Sequence, residues 1–249
     1  MKYIKHFSQK ANNYLRFRPV YPDDLFKYLN NLVPVPHLAW DCGAGNGQAA
    51  IALTKYFDQV IATDVNFEPL EAAPKLEKIN YICCLAEKTP IKSNSVDLIT
   101  IAQALHWFDF ELFYKEVKRV AKETALIAAW CYSLGGFNSA VDLVISKFYK
   151  DILGDEYWPE RRSYIDQEYQ TIPFPFPKIT SPSFFIQKEM NFSELLGYLN
   201  TWSALKEYEL RNKTNPINLV AQELLTSWGN PFEKQKMVWP IHLLVGTLE

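Results

Sequence analysis

The sequence predicts an α/β protein: an open, mostly parallel, twisted sheet of about seven strands with helices on both faces and a small helical cap. Three features predict it. Short apolar runs alternate with amphipathic helical patterns between residues 36 and 132, and a glycine-rich run follows the first apolar segment. Beyond residue 132 the regular alternation gives way to proline- and tryptophan-rich sequence.

Residues 38–41, 60–64, 79–86, 96–102 and 125–132 are apolar on consecutive positions, as strands covered on both faces must be. Residues 48–57 and 109–123 between them carry apolar side chains at helical spacing. In the second, Phe113, Val117, Val120 and Ala121 share one face while Lys115, Glu116, Lys118 and Arg119 take the other. After Gly135-Gly136 a helix is expected over 137–153. The run Ile172-Pro173-Phe174-Pro175-Phe176-Pro177 is expected to be extended or looped, because each proline fixes φ and removes a donor. A strand follows near 183–190. Asn191-Phe192-Ser193-Glu194 reads as a helix start, the helix running on through Tyr208 with Leu195, Leu199, Trp202 and Leu205 on one face. A helix over 216–228 and a strand over 237–245 complete the chain. The expected division is a ligand-binding core at 31–134, a helical cap at 135–235 interleaved with the strand near 183–190, and a last core strand within 236–249.

Composition narrows the function. With 26 basic and 28 acidic side chains among 249 residues, the chain lacks the cationic excess of a generic nucleic-acid binder. The most apolar stretch, residues 96–108, is broken by Asp97, Thr100, Gln103 and His106 and falls short of the ~18–20 residues of a bilayer span, so no membrane insertion is expected. The N-terminus has no apolar signal region. Cys42, Cys83, Cys84 and Cys131 lack CxxC spacing, which reads as reduced and cytoplasmic. No Cys/His cluster is evident, and no metal is expected.

Asp41-Cys42-Gly43-Ala44-Gly45-Asn46-Gly47-Gln48 lies between the first strand and a helix, where glycines permit positive φ and let a ligand approach bare backbone. Asp64 ends the next strand near the spacing of ~20 residues at which a carboxylate receives ribose hydroxyls. Together they indicate an adenosine-type ligand; the alternative is a plain tight turn with Asp64 as a helix cap. Gln48 occupies the third position of G-x-G-x-x-G, where a dinucleotide fold needs Gly or Ala, which disfavours NAD. Asp41 at the loop repels a pyrophosphate and attracts a cation. S-adenosylmethionine carries two, an ammonium and a sulfonium.

Residues 41–47 resemble motif I of the class I S-adenosylmethionine-dependent methyltransferases, a Rossmann-like family. Thr89-Pro90-Ile91-Lys92-Ser93-Asn94-Ser95-Val96-Asp97-Leu98-Ile99 resembles the family's "LPFxDxSFDLV" segment, and Lys118-Arg119-Val120-Ala121-Lys122 its "RVLKPGG", with Glu123-Thr124 replacing the usual Pro-Gly-Gly turn. Tyr14-Leu15-Arg16-Phe17-Arg18-Pro19-Val20-Tyr21-Pro22 and Ala102-Gln103-Ala104-Leu105-His106-Trp107-Phe108 look like the type 11 branch that includes trans-aconitate methyltransferases. The resemblance implies S-adenosyl-L-methionine as cofactor. It places Gly43, Gly45 and Gln48 at the methionine moiety, Asp64 at the ribose, Val65 at adenine, and Ala86 with Glu87 at the adenine amino group, with Asp41 and Gln103 in the same shell. Glu87 has a plain surface role as its alternative. Residues 1–30 would form a helical lid in which Tyr14 and Arg18 reach the cofactor, Arg18 pairing with the methionine carboxylate; the alternative is a helix pinned by Phe17 and Tyr21.

Transfer of a methyl from sulfonium is an in-line displacement that destroys charge, so such an enzyme supplies mainly orientation and water exclusion. A carboxylate acceptor needs no base, whereas a hydroxyl or carbon acid does. His106 is the candidate base; its alternative is a structural histidine ordering the Trp107 loop. Gln103-Ala104-Leu105 replaces the Asn/Asp-Pro-Pro-Tyr/Phe grip of amino-methylating enzymes, which disfavours DNA bases and glutamine. Trp158, Trp202 and Tyr208 can wall an acceptor pocket in the cap and Arg161 or Arg162 can anchor an acid, unless these side chains only pack or solvate the cap. The expected function is small-molecule O- or C-methylation. A non-catalytic S-adenosylmethionine or S-adenosylhomocysteine binder, or an NAD(P)-linked oxidoreductase, are the alternatives.

Overall fold

The computed structural model describes residues 17–137 and 140–248. In chain order these residues form α1 (Asp23–Leu32), β1 (Leu38–Cys42), α2 (Gln48–Leu53), β2 (Gln59–Asp64), α3 (Phe67–Ala72), β3 (Ile79–Cys83), β4 (Val96–Ala102), α4 (Phe110–Val120), β5 (Ala121–Tyr132), α5 (Ala140–Lys147), β6 (Phe184–Met190), α6 (Phe192–Leu199), α7 (Ser203–Asn212), α8 (Ala221–Trp228) and β7 (Gln235–Thr247), with short helical turns between α5 and β6. One seven-stranded sheet runs β3-β2-β1-β4-β5-β7-β6. β1 to β5 are mutually parallel, and β7 joins β5 antiparallel. This is the open α/β architecture that the alternating pattern predicts.

The central strands bury what their composition demands. β4 is buried at every position from Val96 to Ile101. Its one acid, Asp97, accepts from Leu38 N at 2.8 Å and pairs with Lys122 Nζ at 2.6 Å, so a carboxylate inside an apolar run has both oxygens occupied. Trp40 is fully buried on β1 and donates its indole N–H to Thr63 Oγ1 at 2.9 Å. α4 is capped by Asp109, which accepts from Leu112 N, and buries Phe113, Val117 and Val120. β5 begins at Ala121 rather than at the expected 125, because Ala121 pairs with Val96 across a register shift that absorbs the polar residues 122–124.

The chain divides into two compact units. One comprises residues 20–133, 164–185 and 240–249; the other comprises the described residues among 1–19, 134–163 and 186–239. In the first, Tyr21 and Phe26 set their rings edge-on to buried Trp130, at 5.4 and 6.0 Å between centroids. Tyr21 and α1 thus pack on the core of this unit, and the greater part of the expected lid, residues 1–16, lies outside the described residues. In the second unit, the helix expected to continue from Asn191 through Tyr208 is broken into α6 and α7. A capping box between Asn191 and Glu194 starts α6 as the sequence indicates. The break follows from Asn200 and Thr201, whose side chains donate back to the carbonyls of Leu196 and Tyr198 at 2.8 and 2.6 Å. No helix of the described residues is long and apolar enough to cross a membrane.

Candidate functional site

In an open parallel sheet, the strand order reverses where loops diverge to opposite faces, and the crevice at those carboxyl ends is the natural ligand site. Here β2 and β4 flank β1, and a cleft of about 420 Å³ opens at the ends of β1, β2, β3 and β4. Cys42 and Gly43 come from the first, Thr63 to Asn66 from the second, Cys84 to Glu87 from beyond the third, and Gln103, Ala104, Trp107 and Phe108 from beyond the fourth. The volume lies within the range of about 300–1,000 Å³ typical of small-molecule sites.

The glycine loop is held shut from below and left open above. Gly43 has φ +70°, and a Cβ there would stand 2.5 Å from Ala104 Cβ and 3.2 Å from the Phe108 ring. Gly45 has φ +54°, and a Cβ there would meet nothing within 4 Å. Asp64 ties the loop to β2: Oδ2 accepts from Gly45 N and Oδ1 from Asn66 N, each at 2.8 Å. The loop amide that would cradle a pyrophosphate is therefore already committed to a carboxylate. That arrangement opposes a dinucleotide on physical grounds and leaves the cleft acidic, with Asp64 and Glu87 both on its wall. Its apolar walls are unusually open, with Val65, Leu85 and Trp107 each more than half exposed. Exposed apolar side chains converging on one cleft mark a surface that a flat ring can cover.

Gln103 is the strained residue of the site. Its φ of +57° is rare outside glycine, its backbone N–H reaches Trp130 O, and its Nε2 donates to Tyr132 O at 3.1 Å. Among the described residues its buried Oε1 has no hydrogen-bond partner, which leaves an acceptor for a ligand donor. Glu87 Oε1 accepts from Asp109 N at 2.9 Å, joining the cleft wall to the cap of α4.

Of the cofactor residues expected from the sequence, Gly43, Asp64, Val65, Ala86, Glu87 and Gln103 come together on this cleft. Gly45 reaches it through Asp64, and Gln48 opens α2 without lining it. Asp41 differs from the expectation that its carboxylate faces a cation. It is fully buried beneath the loop, accepting from Ala50 N and from Thr100 Oγ1, both at 2.9 Å. Burial, opposed by those two hydrogen bonds, pushes its pKa up to about 7. Burial likewise pushes the Cys42 thiol well above its ordinary value. Tyr14 lies outside the described residues. Arg18 belongs to the second unit, where it donates to Thr201 O at 3.1 Å.

His106 also departs from its expected role. It is 2% exposed, its Nδ1 lies 3.0 Å from Tyr169 Oη, and its ring packs at 4.7 Å from that of Trp107. A base must reach its substrate. Its ring is enclosed between Tyr169 and Trp107, the placement that the structural alternative requires. In the second unit, Trp158, Arg162 and Trp202 gather with Tyr149: Arg162 Nε donates to Tyr149 Oη and its guanidinium lies 4.7 Å from the Trp158 ring centroid, while Trp202 is 3% exposed. Tyr208 packs with Tyr157 apart from them, and Arg161 is exposed. Trp158, Arg162 and Trp202 are thus packed with Tyr149 in one cluster, which Tyr208 and Arg161 do not join in these contacts. Thr63, Asn66, Cys84, Leu85, Ala104, Trp107 and Phe108 are lining residues that the sequence reading did not single out. Their signal was position, since all lie at or just beyond the carboxyl ends of the strands that were recognised.

A family model described as a methyltransferase domain matches residues 40–129, the stretch that carries the cleft. A protein of Dictyostelium discoideum, provisionally described as a methyltransferase, is 32% identical over 254 residues, covering 100% of this chain and 97% of that one. A solved structure from Anaeromyxobacter dehalogenans, provisionally described as a type II methyltransferase, is 36% identical and superposes with a TM-score of 0.86 over 93% of this chain and 98% of that chain. The YcgJ protein of Bacillus subtilis, 18% identical with a TM-score of 0.51 over 89% of this chain and 97% of its own, shares the fold. With the glycine loop, the acid ending β2 and relatives that match essentially end to end, this chain belongs to the class I S-adenosylmethionine-dependent methyltransferases and uses S-adenosylmethionine as its cofactor.

Proposed function

We propose that the chain methylates a small molecule at oxygen or carbon, in the cytoplasm. The observation that carries this reading is the cleft itself: two acids and open apolar side chains on its wall and a β4 end followed by Gln103-Ala104, without the paired prolines that grip an amide or exocyclic amine. When bound, S-adenosylmethionine supplies an electrophilic methyl group on sulfonium sulfur. Asp64 retains lone pairs for ribose hydroxyls beside the two amides it holds. Val65 and Leu85 offer faces to adenine, Ala86 and Glu87 its polar edge, and Gln103 Oε1 an acceptor for the ammonium. Trp107 and Phe108 exclude water from the open side. The four thiols, none in a disulfide, accord with a reducing compartment.

Asp64→Ala removes the ribose acceptor and unties Gly45. Calorimetry is expected to show cofactor binding weakened by about 1.5–3 kcal/mol, roughly 10- to 150-fold; an unchanged affinity in a folded variant makes Asp64 a cap alone. Acceptor class is read by S-adenosylhomocysteine release across carboxylic acids, phenols, hydroxy acids, lipids, glutamine and DNA. Release with a small acid or hydroxyl compound, and none with DNA or glutamine, is expected. Tight cofactor binding with no release anywhere would make the chain a non-catalytic binder.

A further inference from the structure

His106 is locked away, yet a second histidine stands at the same end of the sheet in the arrangement of an activated hydroxyl. Ser133 directly follows β5, and its Oγ lies 3.0 Å from His242 Nε2 on β7. His242 Nδ1 lies 3.5 Å from Glu168 Oε2. The pairing is built into the sheet: His242 sits opposite Cys131 in the β5–β7 register, and Ser133, two residues on, shares the Cys131 face. Glu168 is presented by a turn in which it and Tyr169 both adopt left-handed backbone, φ +57° and +59°. Consecutive non-glycine residues in that region are uncommon, and such strain collects at functional sites.

The location ties this cluster to the cofactor cleft. Tyr132, the neighbour of Ser133, holds Gln103 by its carbonyl, and Gln103 lines the cleft. All of these residues belong to the first compact unit. The Glu168 carboxylate favours the proton on Nδ1, which leaves Nε2 to accept from the Ser133 hydroxyl. His242 is partly buried, and burial lowers its pKa while Glu168 opposes the shift, so the neutral imidazole needed to accept a proton is favoured.

We propose that Ser133, His242 and Glu168 form a proton-accepting triad for a methyl acceptor that bears a hydroxyl, with Ser133 meeting the acceptor and the other two as positioning residues behind it. This rests on the small-molecule methyl-transfer reading and narrows it to O-methylation. The acceptor's O–H proton passes to Ser133 Oγ as the Ser133 proton passes to His242 Nε2. The freed oxygen pair forms the O–CH3 bond, and the S–CH3 bond breaks with its electron pair left on sulfur, giving neutral S-adenosylhomocysteine. The imidazolium stands beside Glu168 and returns its proton to solvent across its exposed edge.

Two measurements need neither cofactor nor acceptor. In long-range proton–nitrogen spectra of histidine-labelled protein, neutral His242 is expected to carry its proton on Nδ1, with the Nε2 resonance moving in Ser133→Ala. A proton on Nε2 overturns the proposal, because Ser133 could not then pass its own. Phenylmethylsulfonyl fluoride should sulfonylate Ser133, located by mass spectrometry, with fluoride leaving and the proton taken by His242. His242→Gln should slow that labelling at least about tenfold, and absent labelling, or equal rates in the two proteins, overturns it. Titration with S-adenosylhomocysteine separates the two ideas: a wild-type chain that fails to bind it defeats the methyl-transfer reading, while the tautomer and labelling results still decide the triad.

Discussion

Gly43→Val should abolish measurable binding of S-adenosylhomocysteine, a loss of at least about 100-fold, while the chain remains folded at reduced stability. Three effects converge on this position. The residue needs φ +70°, which a β-branched side chain adopts only under strain. Its Cβ alone would stand 2.5 Å from Ala104 Cβ, so the first and fourth strand ends must separate. The remaining methyls would press on Phe108 and occupy a cleft of about 420 Å³. Overpacking of this kind costs about 1–3 kcal/mol, which a shift in urea midpoint at constant slope would report. Far-ultraviolet circular dichroism checks that the fold survives. Wild-type affinity in the folded variant would mean that the cofactor does not pass over Gly43.

Asp41→Asn is expected to stabilise the protein above neutral pH. The folded pKa of Asp41 is raised to about 7 from an unfolded value of 3.8, so folding favours the protonated form. Its contribution is present in full below the unfolded value and is lost as pH rises through about 7, an effect on the order of 4 kcal/mol across that window. Asparagine keeps the local geometry: Oδ1 accepts from Ala50 N, Nδ2 donates to Thr100 Oγ1, and the Thr100 hydroxyl turns to Trp40 O, 3.5 Å away. Urea unfolding of the two proteins at pH 5 and pH 8.5 should therefore give a variant-minus-wild-type difference that grows by a few kcal/mol toward alkaline pH. Parallel stability curves would show that Asp41 titrates as an ordinary exposed acid.

What could be read from the sequence divides along a physical line. Strands buried on both faces advertise themselves by composition, so β1, β2 and β4 were legible to within a residue or two. On the cleft, Gly43 and Asp64 were legible from the glycine run and the spacing of the acid, and Val65, Ala86, Glu87 and Gln103 through the family resemblance, which works because a strand end fixes where the next residues stand. Orientation was not legible. Asp41 and His106 occupy the positions that the motifs assign, yet each turns to a partner distant in sequence, Thr100 and Tyr169 respectively, which no local pattern encodes. The same holds for Ser133 and His242, separated by 109 positions and joined only by the antiparallel register of β5 and β7. The break between α6 and α7 was hidden because Leu195, Leu199, Trp202 and Leu205 keep an unbroken apolar spacing through Asn200 and Thr201, whose side chains release the helix.

The central claim is that the cleft at the ends of β1 to β4 takes an adenosyl sulfonium ligand and not a dinucleotide. Calorimetric titration of the wild-type chain with S-adenosylhomocysteine and, separately, with NADH tests it most directly. The account predicts one S-adenosylhomocysteine bound per chain and no heat attributable to NADH, because Asp64 already holds the Gly45 amide that a pyrophosphate requires. Saturable NADH binding with S-adenosylhomocysteine ignored would contradict it.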